Sequence, residues 1–566
     1  MMSKPVSYIK TENGTQVLYV NGKPLEGLAY ITYLSDKNCY KDFADAGYRL
    51  FSFPVFFGYQ NLNERTQLKV FTKGIFDERS PDFSVFDRDM EQILKACPNA
   101  YVFPRVNVSL PKWWEAENPD ELNHTAFPDQ PQSCVRASAF SDKWAEEVKE
   151  ELRLFIDHVQ AMPYKDHVIG YQIAGGNTEE WLPFDRQGNV GKRSDEKFAA
   201  YKTQTGIKGT HSEYMAFLSE LMAGRICELA HHVKELTGHK FVVGCFYGYV
   251  LTSVEIESNH HALKHILECE DIDFICSPIA YDNARKAGMD HVYMLPIDSV
   301  KLHNKLYFSE NDTRTSLSRP VNDMPAYNTS VWYGPETEEE TLEILKIHFA
   351  RPLLHGHACW WFDMWGGWFA SDAYMDFMKQ CMKEYNKAMA LPLGSVAEVA
   401  MFVDEKAYCK ADDYTLSRQV CGNLRHTLGT AGAPFDAYLA SDYDLVDKTK
   451  YKAVILPEPA VTQTSQRIAE DCLKKGIALL RVNRDNQFID TKQLRKFYTD
   501  NGIHLYCSED MVVYANESYL FLHTTRDGDH RISLPDVYAL TDVFTGKTFP
   551  TSFHAPVGKS YLLRKE

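Results

Sequence analysis

The sequence predicts an α/β protein: a (β/α)₈ TIM barrel over residues 1–393, a small α/β Rossmann-like domain over 394–502, and a C-terminal β-sandwich domain over 503–566. Three observations carry that reading. Short apolar runs alternate with amphipathic stretches through the first two-thirds of the chain, the pattern of parallel strands joined by helical crossovers. A second, shorter alternation of the same kind follows Leu393. After about Ile503 the text changes to short strands divided by Asp-Gly and Thr-Gly turns.

Ahead of the barrel, SYIKTENGTQVLYVNGKPL reads as a hairpin, because an Asn-Gly pair supplies the positive φ angles of a tight turn; it is expected to cover the barrel bottom. The strand candidates are Leu25–Tyr30, Tyr48–Val55, Ala100–Val106, Val168–Ala174, Phe241–Tyr247, Phe274–Ile279, Leu306–Ser309 and Ala358–Phe362. Between them, Ser141–Gln160 places Trp144, Val148, Leu152 and Phe155 on one helical face, and Ser212–Thr237 does the same with Tyr214, Phe217, Leu221 and Leu229. Eight strand–helix units suit a closed barrel with long loops, and a doubly wound open sheet is the alternative. In the second region VAEVAMFVDE, YKAVILPEP and IALLRVN read as strands and Ser465–Lys475 as a helix. Neither GxGxxG nor a phosphate-binding Gly-x₄-Gly-Lys-Ser/Thr occurs there, so scaffolding or oligomerisation is the expected role.

The charge balance, 61 Lys+Arg against 77 Asp+Glu for a net −16, argues against nucleic acid or an anionic membrane surface as a partner. No apolar run reaches the length of a membrane span, and MMSKPVSYIKTENGTQ lacks the apolar core of a secretory signal. The 13 cysteines are scattered without a CxxC pair, which signals neither a disulfide framework nor a thiolate zinc site. A cytoplasmic location is the simplest expectation.

In a β/α barrel the active site sits at the C-terminal ends of the strands. The fourth strand runs into GYQIAGGNTEEW, with Asn177, Glu179 and Glu180, and the seventh into KLYFSENDTRTS, with Glu310. Two facing carboxylates, one proton donor and one nucleophile or base, are what glycosidic hydrolysis requires. The other strand ends add Arg105, Tyr247, Tyr281, Trp361, Asp363 and Trp365, groups suited to stacking on sugar faces and bonding to hydroxyls. No metal or other cofactor is expected: HExxH is absent, and His261 and His265 lack a third ligand and read as surface histidines. There is no Gly-x-Ser-x-Gly elbow, and Gly188–Lys192 reads as a plain loop.

These two strand ends, followed by an α/β domain and a terminal β module, resemble the clan A glycoside hydrolases and, in architecture, the family 42 β-galactosidases. The resemblance implies a retaining exo-β-glycosidase acting on a terminal β-galactoside, with a β-mannoside as the rival substrate. It also implies a homotrimer assembled through the middle domain. In that family Asn immediately precedes the acid/base Glu, whereas here Asn177 is followed by Thr178, Glu179 and Glu180. Strand alternation counted from Gln172 turns Glu180 toward the barrel and Glu179 away, unless Gly175–Gly176 inserts a bulge. Glu180 is therefore expected as acid/base, with Glu179 as the alternative. Glu310 is expected as the nucleophile, kept ionised by Arg105 and Tyr281; its alternative is a structural carboxylate paired with Arg314. A non-catalytic carbohydrate-binding barrel is the reading from another class, disfavoured because both carboxylates are present.

Overall fold

The computed structural model describes residues 6–58, 73–123, 135–184, 187–281, 285–318 and 334–566. Its largest sheet is a ring of parallel strands at the eight expected positions: Leu28–Thr32, Leu50–Ser52 with Pro54–Phe56, Tyr101–Val102 with Arg105–Asn107, Gly170–Ala174, Val242–Phe246, Phe274–Pro278, Leu306–Asn311 and Ala358–Asp363. The second and third strands are each interrupted beside a proline, Pro54 and Pro104, and their halves pair half with half (Leu50 with Tyr101, Pro54 with Arg105). The eighth strand pairs with the first through Trp361 and Tyr30, so the ring closes and the open-sheet alternative is excluded.

The N-terminal hairpin gains a third strand, Lys23–Leu25, which takes Leu25 out of the first barrel strand. Both Asn-Gly pairs adopt positive φ (50° and 81° at Asn13 and Gly14, 50° and 75° at Asn21 and Gly22), as tight primed turns demand. The hairpin docks at the start of the fifth strand: Val6 N–H donates to Lys240 O at 2.8 Å, and Ser7 Oγ accepts from Val242 N–H at 2.9 Å. It therefore closes the end of the barrel opposite the carboxylates.

The helix Asp142–Ala161 buries the expected face, and its cap, Ser141 Oγ, accepts from Trp144 N–H. The helix His211–Leu236 differs from expectation. Its buried face is Met215, Leu218, Met222, Ile226 and Leu229, while Tyr214, Phe217 and Leu221 are only half-buried. The reason is a neighbour: Tyr214 and Phe217 stack on Phe198 and Tyr201 of the helix Lys192–Thr205 at 4.4 and 4.8 Å between ring centres, away from the barrel. Gly188–Lys192 is a loop that leads into that helix.

Beyond the barrel, Phe435–Leu439, Val399–Val403, Ala453–Pro457 and Ala478–Val482 form a parallel sheet in that order, with Gln463–Lys475 as a crossover helix. The final strands form two antiparallel sheets, one of four strands and one of two. No described helix is long and apolar enough to cross a membrane. The described cysteines are free thiols, and Cys134 lies outside the described residues.

The barrel interior is packed rather than hollow. Phe103, Phe274, Phe308 and Trp360 interlock, with Phe308 lying 5.4, 5.5 and 5.3 Å from the other three ring centres. Gly244 on the fifth strand is required by this layer, because a Cβ there would lie 2.2 Å from the Phe274 ring. Gly244→Ala is expected to destabilise the protein by about 1–3 kcal/mol through overpacking, read from urea unfolding, while far-ultraviolet circular dichroism is unchanged.

Candidate active site

The inward-facing positions of adjacent parallel strands fall in register, and two registers build the site. Arg105 pairs with Gln172 between the third and fourth strands, and Glu310 pairs with Trp360 between the seventh and eighth. Arg105 Nη2 donates to Glu310 Oε2 at 2.6 Å, Trp360 Nε1 donates to the same oxygen at 3.1 Å, and Arg105 Nε donates to Gln172 Oε1 at 3.2 Å. The guanidinium is 1% exposed and lies 4.8, 5.3 and 5.2 Å from the ring centres of Phe246, Trp360 and Phe362. Burial works against its charge, but Glu310, Tyr33 and Glu179 hold it protonated.

The fourth strand does not continue past Ala174. The chain folds into a tight turn in which Trp181 N–H donates to Gly175 O at 2.7 Å and Asn177 N–H to Leu182 O at 2.8 Å. Gly176, Thr178, Glu179 and Trp181 all take positive φ, at 70°, 55°, 68° and 59°. A Cβ on Gly176 would lie 2.6 Å from Leu182 O, so the turn requires glycine there. Strand alternation thus stops applying, and the expectation that Glu179 faces away is corrected: successive glutamates both enter the site. Glu179 Oε2 accepts from Tyr33 OH at 2.5 Å and lies 3.6 Å from Arg105 Nη1. Glu180 Oε1 accepts from Tyr249 OH at 2.9 Å, and its Oε2 from Thr178 Oγ1 at 2.6 Å.

The three carboxyls are nearly sealed, at 1% exposure for Glu179, 7% for Glu180 and 3% for Glu310. Burial pushes Glu180 up to about 8, and the Glu310 charge adds to that rise. Burial also lifts Glu179, to about 7, against the pull of Arg105. Glu310 is raised by burial too, but it has the closest cation in the site. Arg314 lies 3.8 Å from Asp312 Oδ2, so Glu310 is the partner of Arg105 and not of Arg314.

The remaining expected residues divide. Tyr281 is half-buried under the guanidinium of Arg285 (4.0 Å), and burial together with Asp312, Glu180 and Glu310 keeps its phenol protonated. Trp360, rather than Tyr281, is the second donor to Glu310. Trp365 packs at the rim, 5.8 Å from Tyr33, and Asn177 is half-buried in the turn. Tyr247 and Trp361 stand outside the site. The Tyr247 hydroxyl lies 2.9 and 2.8 Å from the carbonyls of Ser219 and Asn259, and Trp361 Nε1 donates to Tyr48 OH at 3.0 Å in the layer between barrel and helices. Asp363 accepts from Tyr30 OH, Gly367 N–H and Trp368 N–H at 2.8–2.9 Å, which makes it the organiser of the loop after the eighth strand.

Sequence reasoning missed Tyr33, Tyr249, Thr178 and Trp360. The signal for Trp360 was its parity with Phe362 across a strand whose other face carries Trp361. Tyr249 is placed by His260, which burial holds neutral near 3 and whose Nδ1 accepts from the backbone N–H groups of Gly248 and Tyr249 at 3.1 and 3.3 Å. His261 is buried as well, contrary to the surface reading, whereas His265 is exposed and pairs with Glu220 at 3.1 Å. Among the described residues no group of three or more His, Cys, Asp or Glu is placed to hold a metal ion.

Removing Arg105 strands two buried carboxyls. Arg105→Gln is expected to cost about 3–5 kcal/mol near neutral pH. Without the cation, the folded-state affinities of Glu310 and Glu179 for protons rise further above their unfolded values. The stability they contribute is then intact only below about pH 4 and is lost as pH rises. Urea unfolding at pH 5 and pH 8 should show the gap to wild type widening at pH 8.

No family model matches the chain, and no curated protein does. Among solved structures it is similar to the β-galactosidase from Bacillus circulans sp. alkalophilus, with a TM-score of 0.60 and 10% identity over 95% of this chain and 99% of that one. A GH42 β-galactosidase from G. stearothermophilus gives a TM-score of 0.58 and 10% identity over 95% and 98%. The apo exo-carrageenase GH42 from Bacteroides ovatus gives 0.60 and 11% over 100% and 86%. At such identities the likeness is one of fold, and the fold of the family 42 β-galactosidases runs through almost the entire chain.

Proposed function

We propose that the chain is a retaining exo-β-glycosidase that hydrolyses a non-reducing terminal β-D-galactoside, with Glu310 as nucleophile and Glu180 as acid/base. The unequal treatment of these two carboxyls carries the reading. Glu310 receives a guanidinium at 2.6 Å and an indole N–H, which favour its ionised form. Among the described residues Glu180 receives only two hydroxyls, and burial keeps its proton on up to about pH 8. A carboxylate held ionised and a carboxylic acid held protonated at neutral pH are the pair that double displacement needs.

Glu310 attacks the anomeric carbon as Glu180 gives its proton to the departing oxygen, and the bond to the aglycone breaks. Glu180, now a carboxylate, takes a proton from water as that water attacks the same carbon and frees Glu310. Glu179 is the poorer acid/base because its carboxylate already answers to Arg105 and Tyr33. The fold supports a galactoside over a mannoside, since the structures it resembles include β-galactosidases. Tyr281, Trp365 and Asn177 are the proposed sugar contacts at the rim. A cytoplasmic homotrimer assembled through residues 394–502 completes the proposal.

Chromophore release from a panel of aryl β-glycosides should be fastest with the galactoside. Proton NMR should find the β-anomer as the first sugar product, and a 2-fluoro galactosyl inactivator should label Glu310; an initial α-anomer overturns the mechanism. Glu180→Gln should lose on the order of 10²–10⁴-fold on poor leaving groups and far less on activated aryl glycosides.

The working form of Glu180 is the acid, so kcat/KM on poor leaving groups should fall as pH rises through about 8. Tyr249→Phe removes a donor that favours the carboxylate, so it should move that fall to higher pH. Light scattering should give the mass of three chains, and the mass of one would overturn the trimer.

A further inference from the structure

Away from the barrel mouth, two half-buried thiols face each other. Cys227 lies on the helix His211–Leu236, and Cys269 directly follows the short helix Leu263–Glu268, in the segment that leads into the sixth strand. The two stretches run alongside each other in a fixed register. Glu220 Oε2 lies 3.1 Å from His265 Nδ1, a Cβ on Gly224 would lie 3.6 Å from His265 Cε1, His231 Nδ1 lies 2.9 Å from Asp271 Oδ2, and Lys234 Nζ donates to Asp273 Oδ2 at 2.6 Å. Positions 220, 224, 227, 231 and 234 follow one another at helical spacing on one face. Cys227 therefore falls between the contacts to His265 and to Asp271, which is where Cys269 stands, and the two side chains are hydrogen-bonded.

The pair is chemically unequal. Cys269 receives the Cys227 S–H, the backbone N–H groups of Asp271 and Ile272, and the field of Lys305, whose Nζ donates to Cys269 O and Ile272 O at 2.6 Å each. These hold its thiol below the ordinary range against the effect of burial, and the thiolate is the form that attacks. Cys227 is held as a thiol by its bond to Cys269 and by burial. The neighbouring thiols compete poorly: burial pushes Cys409 up to about 12, and Cys245 on the fifth strand is sealed from solvent. A half-exposed thiolate with a second thiol beside it is the arrangement that reacts with peroxide and is then resolved.

We propose that Cys269 and Cys227 form a redox modification site, in which a hydroperoxide oxidises Cys269 and Cys227 converts the product to a disulfide. The Cys269 thiolate attacks a peroxide oxygen, so that an S–O bond forms as the O–O bond breaks, and the departing oxygen takes up the proton that the thiol had released. Cys227 then attacks the sulfenic sulfur. The S–S bond forms, the S–O bond breaks, and the oxygen leaves as water with the Cys227 proton. Two thiols have lost two electrons, and the peroxide has become an alcohol, or water from hydrogen peroxide, plus one water. The bond joins the helix to the approach to the sixth strand, at the barrel end remote from Glu310, and the proposal does not depend on the glycosidase reading.

The test treats the reduced full chain, freed of reductant, with a slight excess of hydrogen peroxide, followed by alkylation and non-reducing peptide mapping. Wild type should lose two hydrogens in intact mass, and the map should join Cys227 to Cys269, with dithiothreitol restoring both thiols. Cys227→Ser should stop at a sulfenic acid on Cys269 that dimedone labels. Cys269→Ser should give neither the crosslink nor a dimedone label on Cys227. No crosslink in wild type, a crosslink from either residue to Cys245 or to any other cysteine, or a dimedone label on Cys227 in place of Cys269 overturns the assignment, and the wild-type map needs no variant to fold.

Discussion

Everything at the barrel mouth is arranged around one buried guanidinium. Arg105 reaches inward from the third strand, and the low polarity of its aromatic surroundings makes an isolated charge there prohibitive. It is tolerated because it is answered on two sides, by Glu310 and Glu179, and braced through Nε by Gln172. The constraint runs in both directions. The carboxylates need Arg105 to be ionised in a sealed site, and Arg105 needs them to be buried at all, so the third, fourth and seventh strands are tied together at the end where chemistry is proposed.

The second constraint is the turn after the fourth strand. A regular strand presents every other side chain to the interior, so Glu179 and Glu180 cannot both face the barrel from one. Positive φ at four positions between Gly176 and Trp181 breaks the alternation. Such conformations are strained for residues with side chains, and the surrounding bonds hold them. The Trp181 ring packs against Gly175 and its indole N–H donates to Ile173 O at 3.3 Å, which clamps the turn back onto the strand it leaves. The strain serves placement, since it brings a third carboxyl to a site whose proposed chemistry calls for two.

The barrel was legible in the sequence because each strand is a short apolar run bounded by polar residues, and eight of them at helix-length spacing leave few alternatives. The ring closure itself was not, since it depends on the eighth strand pairing with the first, a contact more than three hundred residues apart. In the site, residues on regular strands were readable: Arg105 and Glu310 follow from position alone. Those on irregular backbone were not. Parity misplaces Glu179 because the segment that carries it is not a strand, and Tyr249 depends on a histidine that holds two backbone amides. The local sequence does not separate Trp361 from Trp360, because which face of the last strand looks inward is set by the register with Glu310.

Three carboxyls within reach of one another do not titrate independently, and the protons they share belong to the cluster before they belong to any residue. What separates their roles is where the cation stands. Were Arg105 placed evenly among the three, burial would raise them alike and no one carboxyl would be the acid. Instead it lies 2.6 Å from Glu310 and 3.6 Å from Glu179, and Glu180 is left to Tyr249 and Thr178, neutral donors that orient a carboxyl without paying for its charge. Burial holds the proton at Glu180, next to a turn that only glycine at position 176 permits, while Glu310 on the opposite strand has the guanidinium beside it. The proposed division of labour between acid and nucleophile rests on this asymmetry of one side chain, and it is compatible with a third carboxyl because Tyr33 supplies the hydrogen bond that Arg105 is too distant to give Glu179.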